Sequence, residues 1–199
     1  MQKIPTMFLR DEHHRVIDEP NPECEWVFAP SGDATVKWDG TAVLIHGGKM
    51  FKRHRAREGK KAPEGWFHWT AVHEPEAPQE LEGHGWIPVG DGPEDTAYVE
   101  AVEFWIDTEG PIKEGDGTYE LCGPKVNGNP HGFTRHLLIR HGNQIVAHVP
   151  LTFTGMRDYM ELFTFEGLVY HHPDGRMAKI KRRDFGHPWP RMTDGDSRN

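Results

Sequence analysis

The sequence predicts an α+β fold made of antiparallel β-sheets with few flanking helices. Short runs of β-branched and apolar residues, such as Thr-Ala-Val-Leu-Ile at 41–45, recur along the chain and are typical of strands. The 16 prolines and 22 glycines mark many turns between these runs. One segment, near residue 156, has clear helical spacing. Many short strands joined by turns, with few helices, indicate an α+β domain.

The N-terminal part begins with an entry segment and continues into strands. Prolines interrupt residues 1–30 and prevent a long element there. The runs 34–37 and 41–45 predict either two strands around a turn at Gly40 or one strand with a bulge at Gly40. Gly47 and Gly48 predict a hairpin turn, after which a return strand begins at residue 49.

The middle of the chain is predicted as strands separated by loops. Residues 75–92 are rich in proline, glutamate and glycine and predict a surface loop around a short strand at 86–89. Residues 97–106 alternate well enough to predict a strand. The segments that follow are predicted as a strand at 118–122, a loop at 125–132, and short buried strands or a helix end at 137–139 and 145–147.

The C-terminal part holds the predicted helix and a final hairpin. Thr154 is a candidate cap for this helix, whose apolar face comprises Met156, Tyr159, Met160 and Phe163. A strand at 166–170, a turn at 173–175 and a strand at 177–180 follow. We predict one domain over residues 1–190 and a polar, flexible tail over 191–199.

Composition limits the classes of function. The formal net charge of −8 excludes a basic nucleic-acid coat, so a polyanion must meet a local basic patch. The strongly basic stretch 49–61 is one candidate, although such a stretch is commonly a solubilising hairpin. The apolar fraction is 36%, and seven tryptophans compensate by the large area that each can bury.

Cysteine usage and hydropathy predict a cytoplasmic protein without a membrane anchor. Cys24 and Cys122 have no Cys-x-x-Cys spacing, and residues 1–10 lack the apolar core of a signal peptide. No stretch approaches the roughly 20 apolar residues of a membrane span. The 14 histidines include adjacent pairs, whose side chains point to opposite faces of an extended segment, so we do not expect a structural zinc site.

A set of charged residues in a fixed order is the main functional signal. Lys37-Trp38-Asp39-Gly40 alone is typical of a turn with a solvated lysine. It is followed by a carboxylate, Glu120, then by Glu166, and then by two lysines on one predicted strand, Lys179 and Lys181. Their ordered occurrence across nearly the whole chain favours a nucleophile, two acids and paired cations over a surface turn.

These residue types support attack of a lysine on a phosphate. Holding Lys37 neutral near neutral pH costs roughly 4 kcal/mol, and neighbouring cations such as Lys179 and Lys181 lower that cost and bind a triphosphate. Glu166 suits a hard divalent ion, directly or through water. The other candidate roles are a ribose contact for Glu120, orientation of the lysine or a metal-bound water for Asp39, and close approach of the backbone to a ligand for Gly40.

Together these motifs resemble those of the covalent nucleotidyltransferases, the family of polynucleotide ligases and mRNA capping enzymes. Within it the chain is similar to the vertebrate-type 5′–3′ RNA ligase family and its bacterial relatives. The strings that carry the narrower resemblance are 85–89 (Gly-Trp-Ile-Pro-Val), 121–132, 136–142 and 179–190. The resemblance spans about residues 34–190.

The resemblance implies an ATP-dependent RNA ligase with a nucleotidyltransferase (adenylation) domain. By position, Lys37 would form lysyl-AMP, and AMP would pass to an RNA 5′-phosphate before a 3′-hydroxyl seals the strand. It implies that the protein uses ATP and binds Mg²⁺ or Mn²⁺ at Glu166. It also implies a role in RNA repair, and it implies no protein partner. The implied nucleotide-binding residues are Val36, Asp39, Gly40, Arg53, Glu120, Lys179 and Lys181, with Val36 lining the adenine slot.

Two departures from the family pattern affect the implied contacts. Many ligases carry an arginine two residues after the glycine of the first motif, where this chain has Ala42. We also expect no appended C-terminal domain, so the basic stretch 52–61 and the rim of the site would hold the RNA. A GTP-using capping-type enzyme, a non-catalytic RNA- or nucleotide-binding module and a histidine-rich metal-binding protein stay open as alternatives. The physiological RNA and the oligomeric state are open too.

Overall fold

The computed structural model describes residues 3–29, 32–68, 83–112 and 115–190. These residues form antiparallel sheets with two α-helices among them, which confirms the predicted α+β class. The chain divides into two compact units. The Lys37 unit comprises residues 4–39 and 142–199, and the Glu120 unit comprises residues 1–3 and 40–141. The predicted single domain over 1–190 stays a prediction, and the predicted tail 191–199 lies outside the described residues.

The Lys37 unit contains a three-stranded antiparallel sheet, and a separate two-stranded hairpin packs with it. The strands of this unit are β1 Phe8–Arg10, β2 Val16–Pro20, β3 Asp33–Lys37, β10 Gly167–His171 and β11 Met177–Lys181. The sheet order is β11-β10-β3. Gly167 of β10 lies opposite Lys37 on one side and Lys181 on the other.

The core of the Lys37 unit forms between this sheet and helix α2, Phe153–Leu162. Met156 and Met160 lie one turn apart on the helix and are fully buried against Leu168 and Ile180 of the sheet. The predicted helix is therefore confirmed. The predicted cap, Thr154, is wrong, because Thr152 has the extended cap conformation and its hydroxyl accepts from the backbone N–H of residue 155.

The Glu120 unit contains a six-stranded antiparallel sheet. Its strands are β4 Thr41–His46, β5 Lys49–Ala56, β6 Phe67–His68, β7 Gly83–Pro88, β8 Gly117–Cys122 and β9 Leu137–Arg140. Their order in the sheet is β6-β7-β5-β4-β8-β9. The predicted hairpin at Gly47 and Gly48 is confirmed, since both have positive φ and join β4 to β5.

The predicted strand at 97–106 is wrong, because this segment belongs to helix α1, Thr96–Glu109. The spacing of its apolar residues fits both the two-residue period of a strand and the 3.6-residue period of a helix. Tyr98, Ala101 and Trp105, spaced by three and four residues, belong to one cluster, and the Trp105 ring meets Tyr119 of β8 edge-on with centroids 5.1 Å apart. Burial of this helical stripe against the sheet decides between the two periods.

The predicted pairing around Gly40 is also wrong. Strand β3 pairs with β10, whereas β4 pairs with β5 and β8, so the two strands flanking Gly40 belong to different sheets. Residues 145–147 are not a strand either, since Ile145 forms a single bridge with Thr35. Cys24 and Cys122 are buried free thiols. In the described part of the chain, no helix has the length and apolarity needed to cross a membrane.

Candidate functional site

The candidate site of the Lys37 unit is built around one carboxylate that holds two lysines. Lys37 ends strand β3, and its ammonium donates to Oε2 of Glu166. Lys181 ends strand β11, and its ammonium lies 2.6 Å from the other oxygen, Oε1. The Glu166 side chain is only 9% exposed, so this pairing is strongly shielded from solvent. The structure thus brings together three residues that lie far apart in the sequence.

Gly167 creates the space in which these lysines meet. It lies between Lys37 and Lys181 in the sheet register, where a side chain would stand between them. A Cβ atom at this position would come within 2.1 Å of the Ile180 carbonyl oxygen. Glycine is therefore required by close strand packing, and it leaves the sheet face between the two ammonium groups open.

Lys179 adds a third lysine ammonium to the same face of the sheet. It precedes Lys181 by two residues on β11, as the predicted strand required. Partial burial, followed by the positive charges of Lys181 and Lys37, lowers the pKa of Lys179 to about 8. Among the described residues its ammonium has no hydrogen bond or ion pair. A half-buried cation next to two other lysines, with no ion pair of its own, has an electrostatic preference for an anion.

Asp39 is held by a residue from the C-terminal end of the described chain. The indole N–H of Trp189 donates to Asp39 Oδ2 at 2.7 Å, and Trp189 is buried. Trp38 is buried too, and its ring meets Phe165 edge-on at 4.9 Å between centroids. The predicted part of Asp39 in orienting Lys37 or a metal-bound water stays a prediction.

Val36 occupies the strand position before the nucleophile candidate. Its backbone N–H donates to the Gln144 carbonyl at 2.9 Å, and it lies opposite Leu168 in the sheet. The side chain is half-buried. Its predicted contact with adenine stays a prediction.

In the Glu120 unit, Glu120 connects the two ends of the long segment that forms the unit. Its Oε1 accepts from the Gly40 backbone N–H at 3.0 Å, and its Oε2 lies 2.9 Å from Nε2 of His141. The other ring nitrogen of His141 lies 3.0 Å from the Thr118 hydroxyl. The sequence strings that carry the resemblance include His141, but its contact with Glu120 comes only from strand pairing of β8 with β9.

Gly40 is the second glycine at which close packing excludes a side chain. A Cβ atom there would lie 2.1 Å from the Leu121 carbonyl oxygen and 2.8 Å from the Cys122 sulfur. The close approach that the structure shows at Gly40 is to the protein's own chain. The predicted close approach of its backbone to a ligand stays a prediction.

Arg53 lies apart from Glu120 within the Glu120 unit. It is exposed on β5, opposite Trp86 of β7, and strand β4 separates β5 from β8, which carries Glu120. Its predicted nucleotide contact stays a prediction. Lys52 of the same strand is ion-paired with buried Asp95. Its charge is therefore neutralised, whereas the other lysines and arginines of the basic stretch 49–61 are exposed: Lys49, Arg53, Arg55, Arg57, Lys60 and Lys61.

Sequence reasoning missed two charged residues beside the lysines. Asp184 is buried, and its Oδ2 accepts from the Lys181 backbone N–H at 2.9 Å. Arg10 of β1 donates to the other oxygen of Asp184 at 2.6 Å. Asp184 could have been found from its spacing of three residues after Lys181, which is that of a capping box. Arg10 had no signal, because a tertiary contact alone brings it there.

The donor set for a metal is small. Within residues 3–29, 32–68, 83–112 and 115–190, no group of three histidine, cysteine or acidic side chains is arranged to hold a metal ion. Glu166 supplies one carboxylate. Such a donor fits Mg²⁺ when water and substrate phosphates supply most of the ligands, as is usual for this ion.

The α+β fold and the lysines around Glu166 indicate a protein with an anion-binding site next to a candidate lysine nucleophile. Comparisons with known proteins indicate which family this site resembles. Residues 106–196 match the family model described as RNA ligase 1. This range includes Glu120, Glu166, Lys179 and Lys181. These matches, with those to curated relatives below, confirm the predicted resemblance to an RNA ligase family.

Several curated relatives share this similarity. RNA ligase 1 of Rattus norvegicus is 28% identical over 71% of this chain and 54% of its own length. RNA ligase 1 of Mus musculus is 29% identical over 71% of this chain and 53% of its own length. RNA ligase 1 of Pongo abelii is 35% identical over 37% of this chain and 25% of its own length. The chain thus spans about half the length of the rodent relatives.

Proposed function

We propose that this protein is an ATP-dependent RNA ligase that works through a covalent lysyl-AMP on Lys37. The observation that carries the proposal is the pairing of Lys37 with Glu166 beside two further lysines on one sheet face. A protein that only bound nucleotide would need cations but no lysine held against a carboxylate. The similarity to proteins named RNA ligase 1 supports RNA as the substrate.

The first step transfers AMP to the protein. The Lys37 ammonium gives a proton to Glu166, the carboxylate that already accepts its hydrogen bond. The neutral amine then attacks the α-phosphorus of ATP. The new N–P bond forms as the bond between the α-phosphorus and the bridging oxygen of pyrophosphate breaks, and a second proton leaves the nitrogen for solvent.

The remaining cations act on the charge that develops in this step. Lys179 and Lys181 lie two residues apart on β11 and face the same side as Lys37. Their ammonium groups attract the triphosphate and stabilise the added negative charge on the phosphoryl oxygens and the leaving pyrophosphate. Lys181 also shares Glu166 with Lys37, so one carboxylate holds both ammonium groups on this face of the sheet.

The site suits a divalent ion that is held jointly by the protein and by substrate phosphates. Glu166 would hold Mg²⁺ or Mn²⁺ together with phosphate oxygens, and the ion would act as a Lewis acid that neutralises phosphate charge. Both oxygens of Glu166 accept from lysine ammonium groups, so a bound ion would share this carboxylate with Lys37 and Lys181.

The later steps use RNA. AMP passes from Lys37 to the 5′-phosphate of an RNA strand, and a 3′-hydroxyl then displaces AMP and forms the phosphodiester. The exposed cations of 53–61 form the basic surface of the Glu120 unit that would contact the RNA backbone.

The decisive test is the covalent intermediate. The purified chain is incubated with Mg²⁺ and ATP labelled at the α-phosphate, and the denatured protein is examined for label. We expect a labelled adduct in the wild type and in Lys3→Ala, an exposed lysine outside the site, but none in Lys37→Ala. Unlabelled ATP should compete far better than GTP. A wild type that binds ATP or RNA without forming the adduct would refute the proposal and favour a non-catalytic binding module.

A further inference from the structure

Strand β1 is attached to the sheet edge that carries Lys179. The Lys179 backbone N–H donates to the Pro5 carbonyl at 2.9 Å, and the Met7 N–H donates to the Lys179 carbonyl at 3.0 Å. The chain then runs along β1 to Arg10, at the end of that strand. The backbone therefore brings an arginine from the N-terminal segment to the lysines of β11.

Arg10 is only partly used by its protein contacts. Its Nη2 donates to Asp184 Oδ1 at 2.6 Å and to the Thr6 hydroxyl at 3.1 Å. Its side chain is 34% exposed, whereas that of Asp184 is 5% exposed. Within the part of the chain that the structure describes, Nη1 and Nε of Arg10 have no hydrogen-bond partner. A guanidinium held on one side leaves further donors for a planar or tetrahedral oxyanion.

The charges around Arg10 are unbalanced. Four cationic side chains, Arg10, Lys37, Lys179 and Lys181, share two carboxylates, Glu166 and Asp184. Of these four cations, Lys179 is the one without an ion pair to a described residue. The Asp184 carboxylate and, more weakly, the Arg10 guanidinium both act on its charge. The cluster thus has an excess of positive charge in a chain of net charge −8, and a bound anion would remove it.

We propose that Arg10 is a phosphate-binding residue, and that it acts with Lys179 to hold one phosphate group of a substrate. The proposal rests on the proposed function for the identity of that substrate. The phosphate comes either from the polyphosphate of the nucleotide or from the 5′ end of the RNA. Both present the same oxyanion chemistry, so the experiment below separates the two sources.

A purely structural role for Arg10 makes a different prediction. In a purely structural role, Arg10 would neutralise Asp184, which in turn holds the Lys181 backbone N–H. Loss of either partner would then weaken anion binding. If Arg10 binds phosphate, removal of the Asp184 charge frees its guanidinium and raises the local potential. The variants Arg10→Gln and Asp184→Asn would then change the affinity in opposite directions.

The experiment is calorimetric titration of pyrophosphate into the full chain, beside anisotropy titration of a 3′-labelled oligoribonucleotide with either a 5′-phosphate or a 5′-hydroxyl. We expect Arg10→Gln to lower either the affinity for pyrophosphate or the preference for the 5′-phosphorylated RNA by about tenfold or more. Asp184→Asn should tighten the same interaction about threefold. Arg10→Lys should fall between Arg10→Gln and wild type. Arg15→Gln is the matched control, since Arg15 is exposed on the same hairpin and donates to the Arg183 carbonyl.

The outcomes are separable from instability and from failure of the proposed function. Thermal melts of each variant identify unfolding, and Arg10→Lys keeps a charge where Arg10→Gln loses it. The assignment is wrong if Arg10→Gln leaves the affinities for pyrophosphate and for the 5′-phosphorylated RNA unchanged. It is also wrong if Asp184→Asn lowers these affinities as much as Arg10→Gln does. If no Lys37 adduct forms while Arg10→Gln still weakens pyrophosphate, the ligase proposal fails and the Arg10 assignment stands.

Discussion

Replacement of Lys179 by methionine should stabilise the ligand-free protein. At pH 7 the lysine is charged in both the folded and unfolded states, and the folded state holds that charge half-buried beside Lys37 and Lys181. A fall in its pKa from 10.5 to about 8 corresponds to about 3 kcal/mol of destabilisation before solvent screening is considered. Because the side chain is partly exposed, solvent screening reduces this to about 1–2 kcal/mol. Methionine keeps the apolar stem and removes the charge.

The stability difference between Lys179→Met and the wild type should depend on pH. Above pH 8 the folded state releases the Lys179 proton before the unfolded state does, so the contribution of this group to the wild-type stability rises between about pH 8 and 10.5. Lys179→Met has no such group. Its advantage over the wild type should therefore be largest at pH 7 and should shrink by pH 9.5. Other titrating groups, such as Cys24 with its raised pKa, cancel in the difference between the two proteins.

Urea unfolding at pH 7 and pH 9.5 measures this difference. Lys49→Met is the control, since Lys49 is exposed on β5 and should change stability little at either pH. Added pyrophosphate should raise the melting temperature of the wild type, while Lys179→Met should respond much less. A Lys179→Met protein less stable than wild type at pH 7, or an advantage that grows with pH, would refute the electrostatic reasoning.

Three further predictions follow from single contacts. Gly40→Ala should lower the free energy of unfolding by about 3 kcal/mol, because its Cβ would overlap a backbone carbonyl, whereas Gly47→Ala, with open space but positive φ, should cost about 1 kcal/mol in denaturant melts. Thr152→Ala should destabilise the protein by about 1 kcal/mol through loss of the α2 cap, and Thr154→Ala should change the melting temperature little. His141→Phe should raise the ATP concentration needed for half-maximal adduct formation about tenfold, and His141→Gln should restore part of it, if Glu120 contacts the ribose.

Sequence reasoning succeeded where a local pattern was sufficient. The turn at Gly47 and Gly48 and the strands carrying Glu120 and Lys181 follow from short-range chemistry. It failed at α1, because residues 97–106 satisfy both the strand and the helix period, and contact with the sheet decides between them. It also failed at Gly40, because the choice of partner strand depends on residues far away in the sequence.

The candidate site divides in the same way. The lysines and acids were identified from their order and spacing, whereas Arg10 and Asp184 were not, because their pairing joins opposite ends of the chain. The pairing of both Lys37 and Lys181 with Glu166 likewise depends on two strands flanking β10. Sequence order alone could not show that one carboxylate is shared by two ammonium groups.

Sheet register links the core of the Lys37 unit to its chemistry. Leu168 and Tyr170 of β10 are buried in the core, and they lie opposite Ile180 and Ala178 of β11, which are buried with them. Because alternate residues of a strand face opposite sides, burial of this set places the residues between them, including Lys179 and the position of Gly167, on the other face. A slip of one residue would bury the lysine and expose the core face, at a cost of many kilocalories per mole. The apolar residues that stabilise the sheet therefore also determine where its cations converge.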